Sequence, residues 1–197
     1  FGRWPDSSGN LLPMLAPTPG APNDTAGNSV RVGPVVISEV MYNPAGSPDN
    51  GLEYIEICNA GSVIEELGNW RLRGEAEYDF PDGALAPGDV LLIVDFDPKN
   101  DITTRDSFLT AYPSATAIQL RGPWSAGFAN LLDNGGASIR LERAGPLLRP
   151  PGESPFHPGL FEDAVTFNDA APWPDSPDGS GPSLTRISPA VYGDNPS

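Results

Sequence analysis

Cysteine is almost missing from this chain. Cys58 stands alone, so no internal disulfide can form and the redox compartment is left open. Histidine is equally scarce: His157 is single, within Pro155-Phe156-His157-Pro158. One imidazole and one thiol cannot build the usual nitrogen and sulfur site of zinc. Bases are few, 11 against 26 acids, and the formal charge of −15 repels phosphate backbones, so no nucleic-acid partner is expected. Long apolar runs are absent too. The longest, Val90 to Val94, is far short of the roughly 20 residues of a spanning helix, and no membrane insertion is expected. Phe1 to Pro5 lack the charged and apolar regions of a signal peptide, and position 1 is not Met. The chain is expected to be a piece of a longer protein, with any targeting signal outside it.

What is present is punctuation. The 22 glycines and 24 prolines suit many short strands joined by turns. Residues 1–34 carry Pro13, Pro17, Pro19, Pro22 and Pro34 with little periodicity, and read as an extended arm or linker. From Val35 the character changes. Val35 to Tyr42 reads as a strand ended by Asn43-Pro44. Glu53 to Asn59 alternates, with Ile55 and Ile57 on one face and Tyr54, Glu56 and Cys58 on the other. Trp70 to Arg73 is a short strand, and Val90 to Val94 is a central strand covered on both faces. Asp101 to Tyr112 is the one helical segment, closed by Pro113. Ala137 to Arg143, Glu162 to Phe167 and Ser183 to Ile187 complete the strands, and the proline-rich residues 144–160 read as an exposed loop. About nine strands with one short helix predict an all-β sandwich, in which two sheets cover each other's apolar faces.

An internal echo adds to this. Arg3-Trp4-Pro5-Asp6-Ser7 nearly repeats Pro172-Trp173-Pro174-Asp175-Ser176. The pattern suits the tail of one module followed by most of a second.

The second unit resembles the lamin-tail domain, an immunoglobulin-like sandwich. The matching pieces are Val36 to Pro44, Glu53 to Ile57, Leu67 to Leu72, Phe80 to Gly83, Leu85 to Gly88, Ala171 to Pro174 and Gly179 to Ile187. In order they cover residues 35–197. Phe1 to Asp6 with Pro17 to Asn23 is similar to the usual ending of such a module. The resemblance implies an immunoglobulin-like β-sandwich with an extended N-terminal arm, placed in a secreted or cell-surface bacterial protein built of tandem modules. Cys58 and the insertion at 144–160 depart from the family pattern.

Several residues carry candidate chemistry. Asp95, Asp97, Asn100 and Asp101 offer oxygens within one short loop, a reasonable donor set for Ca²⁺; equally, Asn100 or Asp101 caps the helix that follows. Glu39, Glu53 and Glu56 invite comparison with a paired-carboxylate hydrolase, although acids on patterned strands are more readily explained by hydrogen bonding to loops. Trp124 and Tyr112 are candidates for stacking on a sugar. His157 sits on a poor platform for a catalytic triad, and Cys58 has no base near it in sequence. Trp70, Ile55 and Ile57 are read as core, and Trp4 and Trp173 as anchors of chain ends on the sandwich.

Together these features predict a non-catalytic structural or interaction module serving spacing, adhesion or protein contact outside the cell. No organic cofactor is expected, and Ca²⁺ is the one metal with a candidate site. The expected partner is a protein or cell-surface component, and exchange of the arm between chains is a further expectation. The competing readings are an accessory carbohydrate-binding module and, behind it, a hydrolase.

Overall fold

The computed structural model describes residues 1–4, 6, 10–23, 28–46, 51–126 and 130–193, without the side chains of residues 10 and 11. Two five-stranded sheets face each other. The first has the spatial order β10 (Gln119–Arg121), β9 (Val90–Val94), β4 (Tyr54–Asn59), β3 (Val35–Met41) and β14 (Leu184–Thr185). The second runs β11 (Ser125–Ala126), β7 (Ala76–Asp79), β6 (Arg71–Gly74), β12 (Gly136–Ala144) and β13 (Gly159–Asn168). This is the expected all-β, immunoglobulin-like sandwich.

Strand alternation sets the core. Ile55, Ile57, Leu91 and Ile93 of the first sheet meet Leu72, Ile139, Leu141 and Phe167 of the second, with Trp70 and Trp124 wedged among them. A second apolar layer lies on the outer face of the first sheet. There α1 (Ile102–Ala111) sets Phe108 against Met41, Tyr54, Leu92, Val94 and Phe96. Val90 to Val94 is therefore covered on both sides, which is why it lacks alternation. Because β9 and β10 pair in parallel, the chain needs a crossover between them, and α1 is that crossover.

The described residues before Val35 include paired strands that a plain extended arm would lack. β1 (Gly2–Trp4) and β2 (Asn10–Leu12) form an antiparallel hairpin, and Asn23 ties it by donating to Asp6 Oδ1 and to the Arg3 carbonyl. Residues 144–160 also correct the loop expectation. They prolong the β12–β13 hairpin into a finger: Leu148 and Phe156 exchange backbone hydrogen bonds at 2.9 and 3.1 Å, and Gly145 N–H donates to the Pro158 carbonyl. Prolines occupy positions that need not donate, so they hide the pairing in the sequence without preventing it.

Two bulges, one in each sheet, break the ladders near one another. In β3 the register slips between Ile37 and Glu39, leaving Ser38 extra; in β13 it slips beside Glu162. A bulge frees backbone groups and re-aims side chains.

Candidate functional site

At the first bulge the Ile37 N–H donates to Asp163 Oδ2 at 2.8 Å, and the Ile37 carbonyl accepts from Arg186 Nη1 at 2.8 Å. Arg186 grips Asp163 with both arms, Nη1 to Oδ2 at 2.5 Å and Nη2 to Oδ1 at 3.0 Å. The same guanidinium donates to the Val191 and Ser188 carbonyls and so holds the turn after β14. Asp163 belongs to the second sheet and Ile37 to the first, so one ion pair joins the sheets and the closing turn. Burial pushes the Asp163 carboxyl upward, and Arg186 and the Ile37 N–H pull it back.

Glu162, next in chain, is fully buried. Arg143 Nε lies 3.0 Å from its Oε2 but outside hydrogen-bonding orientation, so both oxygens are without a donor. Burial raises its pKa, with Arg143 and Arg31 opposing. Glu53 is equally buried, and its Oε2 accepts from the Leu132 N–H at 2.8 Å. Asn59 closes the end of β4 by donating to the Val63 and Leu85 carbonyls. Glu53 and Asn59 hold loops to the sheets.

The carboxylates of the hydrolase reading do not converge. Glu39 and Glu56 are cross-strand partners on the outer face of the first sheet, whereas Glu53 shares the parity of the core-facing Ile55. Glu39 accepts from Tyr54 and Ser183, and Glu56 accepts from Ser38 at 2.7 Å. Burial raises Glu56, Ser38 counters it, and the Glu39 charge adds to the rise.

The proposed calcium donors are turned to other uses. Asp97 accepts from the backbone N–H groups of Lys99 and Asn100 and from the Asn100 amide. Asp101 caps α1, accepting from the Thr104 N–H at 3.0 Å and its hydroxyl at 2.7 Å. Asp95 turns to the Gly51 N–H at 2.8 Å. The three carboxylates do not gather, and among the described residues no group of three or more His, Cys, Asp or Glu side chains is placed to hold a metal ion. The helix cap is the geometry found.

The sugar platform is corrected as well. Trp124 is 2% exposed, a core residue whose indole N–H donates to the Asn130 carbonyl. Tyr112 is half-buried and donates to the Leu52 carbonyl. His157 Nδ1 lies 2.7 Å from the Gly145 carbonyl at the base of the finger. Cys58 is half-buried on the outer face, and burial raises its thiol, against a nucleophilic role. Trp70, Ile55 and Ile57 are core, and Trp173 packs on the core's edge as expected. Trp4 sits instead in β1 of the arm hairpin, so the two tryptophans of the echo occupy different local structures.

Beside the Asp163–Arg186 pair an apolar groove of about 180 Å³ opens along β14, lined by Trp173, Val165, Leu184, Ile187 and Val191 among others. Sequence reasoning missed Asp163, Glu162, Arg186 and this groove. The signal was present: two adjacent acids interrupt the apolar pattern Phe161 to Phe167, as a bulge would require.

Among the described residues no helix is long and apolar enough to cross a membrane. No curated protein matches the chain. One solved structure with similarity is a DUF4876 family protein from Bacteroides thetaiotaomicron VPI-5482, 15% identical with a TM-score of 0.43. The match covers 73% of this chain and 56% of that one, so this chain spans little more than half of its neighbour. The family model of the Lamin Tail Domain matches residues 29–146, more than half of the chain, from β3 through β12 and short of β13 and β14. The chain belongs to the lamin tail domain family.

Proposed function

We propose that this chain is a non-catalytic structural and protein-contact module of a larger bacterial protein, working as a spacer or adhesive unit outside the cell. The observation that carries this reading is how the buried acids are used. Asp163 takes Arg186 and the Ile37 N–H, and Glu53 takes the Leu132 N–H, so these two fully buried acids hold the sandwich together. A hydrolase would aim two carboxyls into a cleft across a substrate bond. Here the Glu39–Glu56 pair lies on a sheet face, with its oxygens turned to Tyr54, Ser183 and Ser38. The acidic composition suits a soluble unit that meets proteins better than nucleic acid.

A turnover panel of chromogenic esters, phosphate esters and glycosides tests the reading. The purified chain is expected to match the buffer rate on every substrate. Turnover that disappears in Glu39→Gln or Glu56→Gln would overturn it. Protease shaving of intact cells that make the parent protein is expected to release peptides of this unit, and full protection would overturn the surface placement.

A further inference from the structure

The run Asp-Asn-Gly occurs twice, at 49–51 and at 133–135. Asparagine is a thermolabile residue, most of all before glycine, whose bare nitrogen attacks the neighbouring side-chain carbonyl unhindered. The fold treats the two glycines differently. Gly51 is buried with φ +82, and a Cβ there would stand 2.3 Å from Thr104 Cγ2 of α1. Its N–H donates to Asp95 Oδ2 at 2.8 Å. That nitrogen is packed in place. Gly135 is exposed in the turn before β12, and its N–H donates to Asp133 Oδ1 at 2.8 Å. This nitrogen serves no sheet ladder, and a proton acceptor already faces it.

The turn does not need glycine at 135. Its φ lies outside the left-handed region, and a Cβ there meets only Asp133 Oδ1, at 3.4 Å. Gly136 is the glycine the turn requires, with φ +124 and a Cβ position 2.7 Å from the Phe167 carbonyl oxygen. We infer that Asn134 is a self-modification site, turning into aspartate and isoaspartate on the folded chain while Asn50 lags far behind. The Gly135 nitrogen passes its proton to Asp133 and bonds to Asn134 Cγ. The bond from Cγ to the side-chain nitrogen breaks, and that nitrogen takes up the proton and leaves as ammonia. Water then adds to either carbonyl of the cyclic imide and opens it. No oxidant, metal or enzyme is needed. The isoaspartate product lengthens the main chain by one carbon just before Gly135, whose carbonyl accepts from Asn168 Nδ2 at 2.8 Å. Asn168 Oδ1 also takes the Ala170 N–H at 3.0 Å. The same amide thus links this turn to the segment leading to Trp173, and conversion loosens that link.

Storage of the folded full chain in mildly alkaline buffer, followed by peptide mapping that separates aspartate from isoaspartate, tests the site. Conversion at Asn134 is expected to outrun conversion at Asn50 by about tenfold or more. In urea, where neither glycine is packed, the two rates should come together. Gly135→Ala fits the turn and is expected to slow the step about tenfold, and Asn134→Gln to remove it. Circular dichroism with thermal melting checks that both variants keep their fold. Stored wild type is expected to melt below fresh protein, and stored Asn134→Gln to melt with its fresh counterpart. An Asn134 that stays intact, equal rates at the two runs in the folded chain, or a rate unmoved by Gly135→Ala would each overturn the proposal. A melting temperature that storage leaves unchanged in wild type would overturn the link through Asn168.

Discussion

Gly33 leaves empty the space that the Glu162 carboxylate fills: a Cβ on residue 33 would stand 1.7 Å from Oε1 and 2.2 Å from the carboxyl carbon. The linker that enters the sandwich thus passes directly over a buried acid. Gly33→Ala forces one of them to move, and Glu162 is enclosed on every side. We expect a loss of roughly 1–3 kcal/mol, the usual range for overpacking. In a Glu162→Ala background the same change should cost much less, and a double-mutant cycle in urea measures that coupling. Additive losses would show that the two residues do not meet.

Glu162 also predicts a pH dependence. Burial raises its pKa above the ordinary 4.5. A raised carboxyl favours the folded state while protonated, so its contribution is complete below the ordinary value and is lost as pH rises through the raised one. Glu162→Gln keeps the shape and removes the titration. The stability of the Gln variant relative to wild type should climb as pH rises above the ordinary 4.5 and through the raised value, read from urea midpoints at each pH. A difference that stays flat, or falls, would show that the two arginines outweigh burial.

The Asp163–Arg186 pair should be intolerant of single changes. Asp163 is fully buried and the Arg186 side chain is 7% exposed, so removing either leaves a charge without its partner. Asp163→Ala and Arg186→Ala are each expected to cost about 3–5 kcal/mol in chemical denaturation. Replacing both with apolar residues of similar size, Asp163→Leu with Arg186→Met, should cost less than the sum. A double loss equal to the sum of the single losses would mean that the bonds to Ile37 and Val191 matter more than the pair.

Asp101 should act on α1 alone. Its hydrogen bonds to Thr104 hold its carboxyl below the usual 3.8, and Asp97 is held low by Asn100 and the Lys99 N–H. A lowered carboxyl stabilises the fold above its unfolded pKa and loses that contribution as pH falls through the lowered one. Asp101→Ala should speed amide exchange at Thr104 and Arg105 while leaving the β4 amides unchanged. Adding calcium to metal-stripped protein should leave the melting temperature where it was. A calcium-dependent rise that vanishes in the variant would restore the metal reading.

The sandwich could be read from the sequence because alternation and turn residues are local signals. Ile55 and Ile57 point inward for the reason that Tyr54 and Glu56 do not, and Val90 to Val94 shows its double cover by lacking alternation. A cap at Asn100 or Asp101 was legible from the place of both before the helix, and Asp101 is the one that fills it. The joining chemistry was hidden because it depends on pairs far apart in the chain. Asp163 meets Ile37 across 126 positions, and no spacing rule links them. The finger was concealed by its prolines, whose missing N–H groups mask a hairpin in which Leu148 still pairs with Phe156. Trp124 looked available for a sugar because aromatic type says nothing about depth; only the packed sheets place it inside.

β14 has two residues, and the Arg186 side chain fastens the turn that follows it, where Tyr192 also meets the Phe161 ring. A unit fastened this way responds to pulling differently from one closed by a long ladder. Tension arriving from Gly193 would load the guanidinium before it reached the central strands, and losing that grip would loosen the turn and the brace between the sheets together, leaving β14 its backbone pairing to β3. The brace would then act as a mechanical fuse at one end of the module, the place where pulling is felt first.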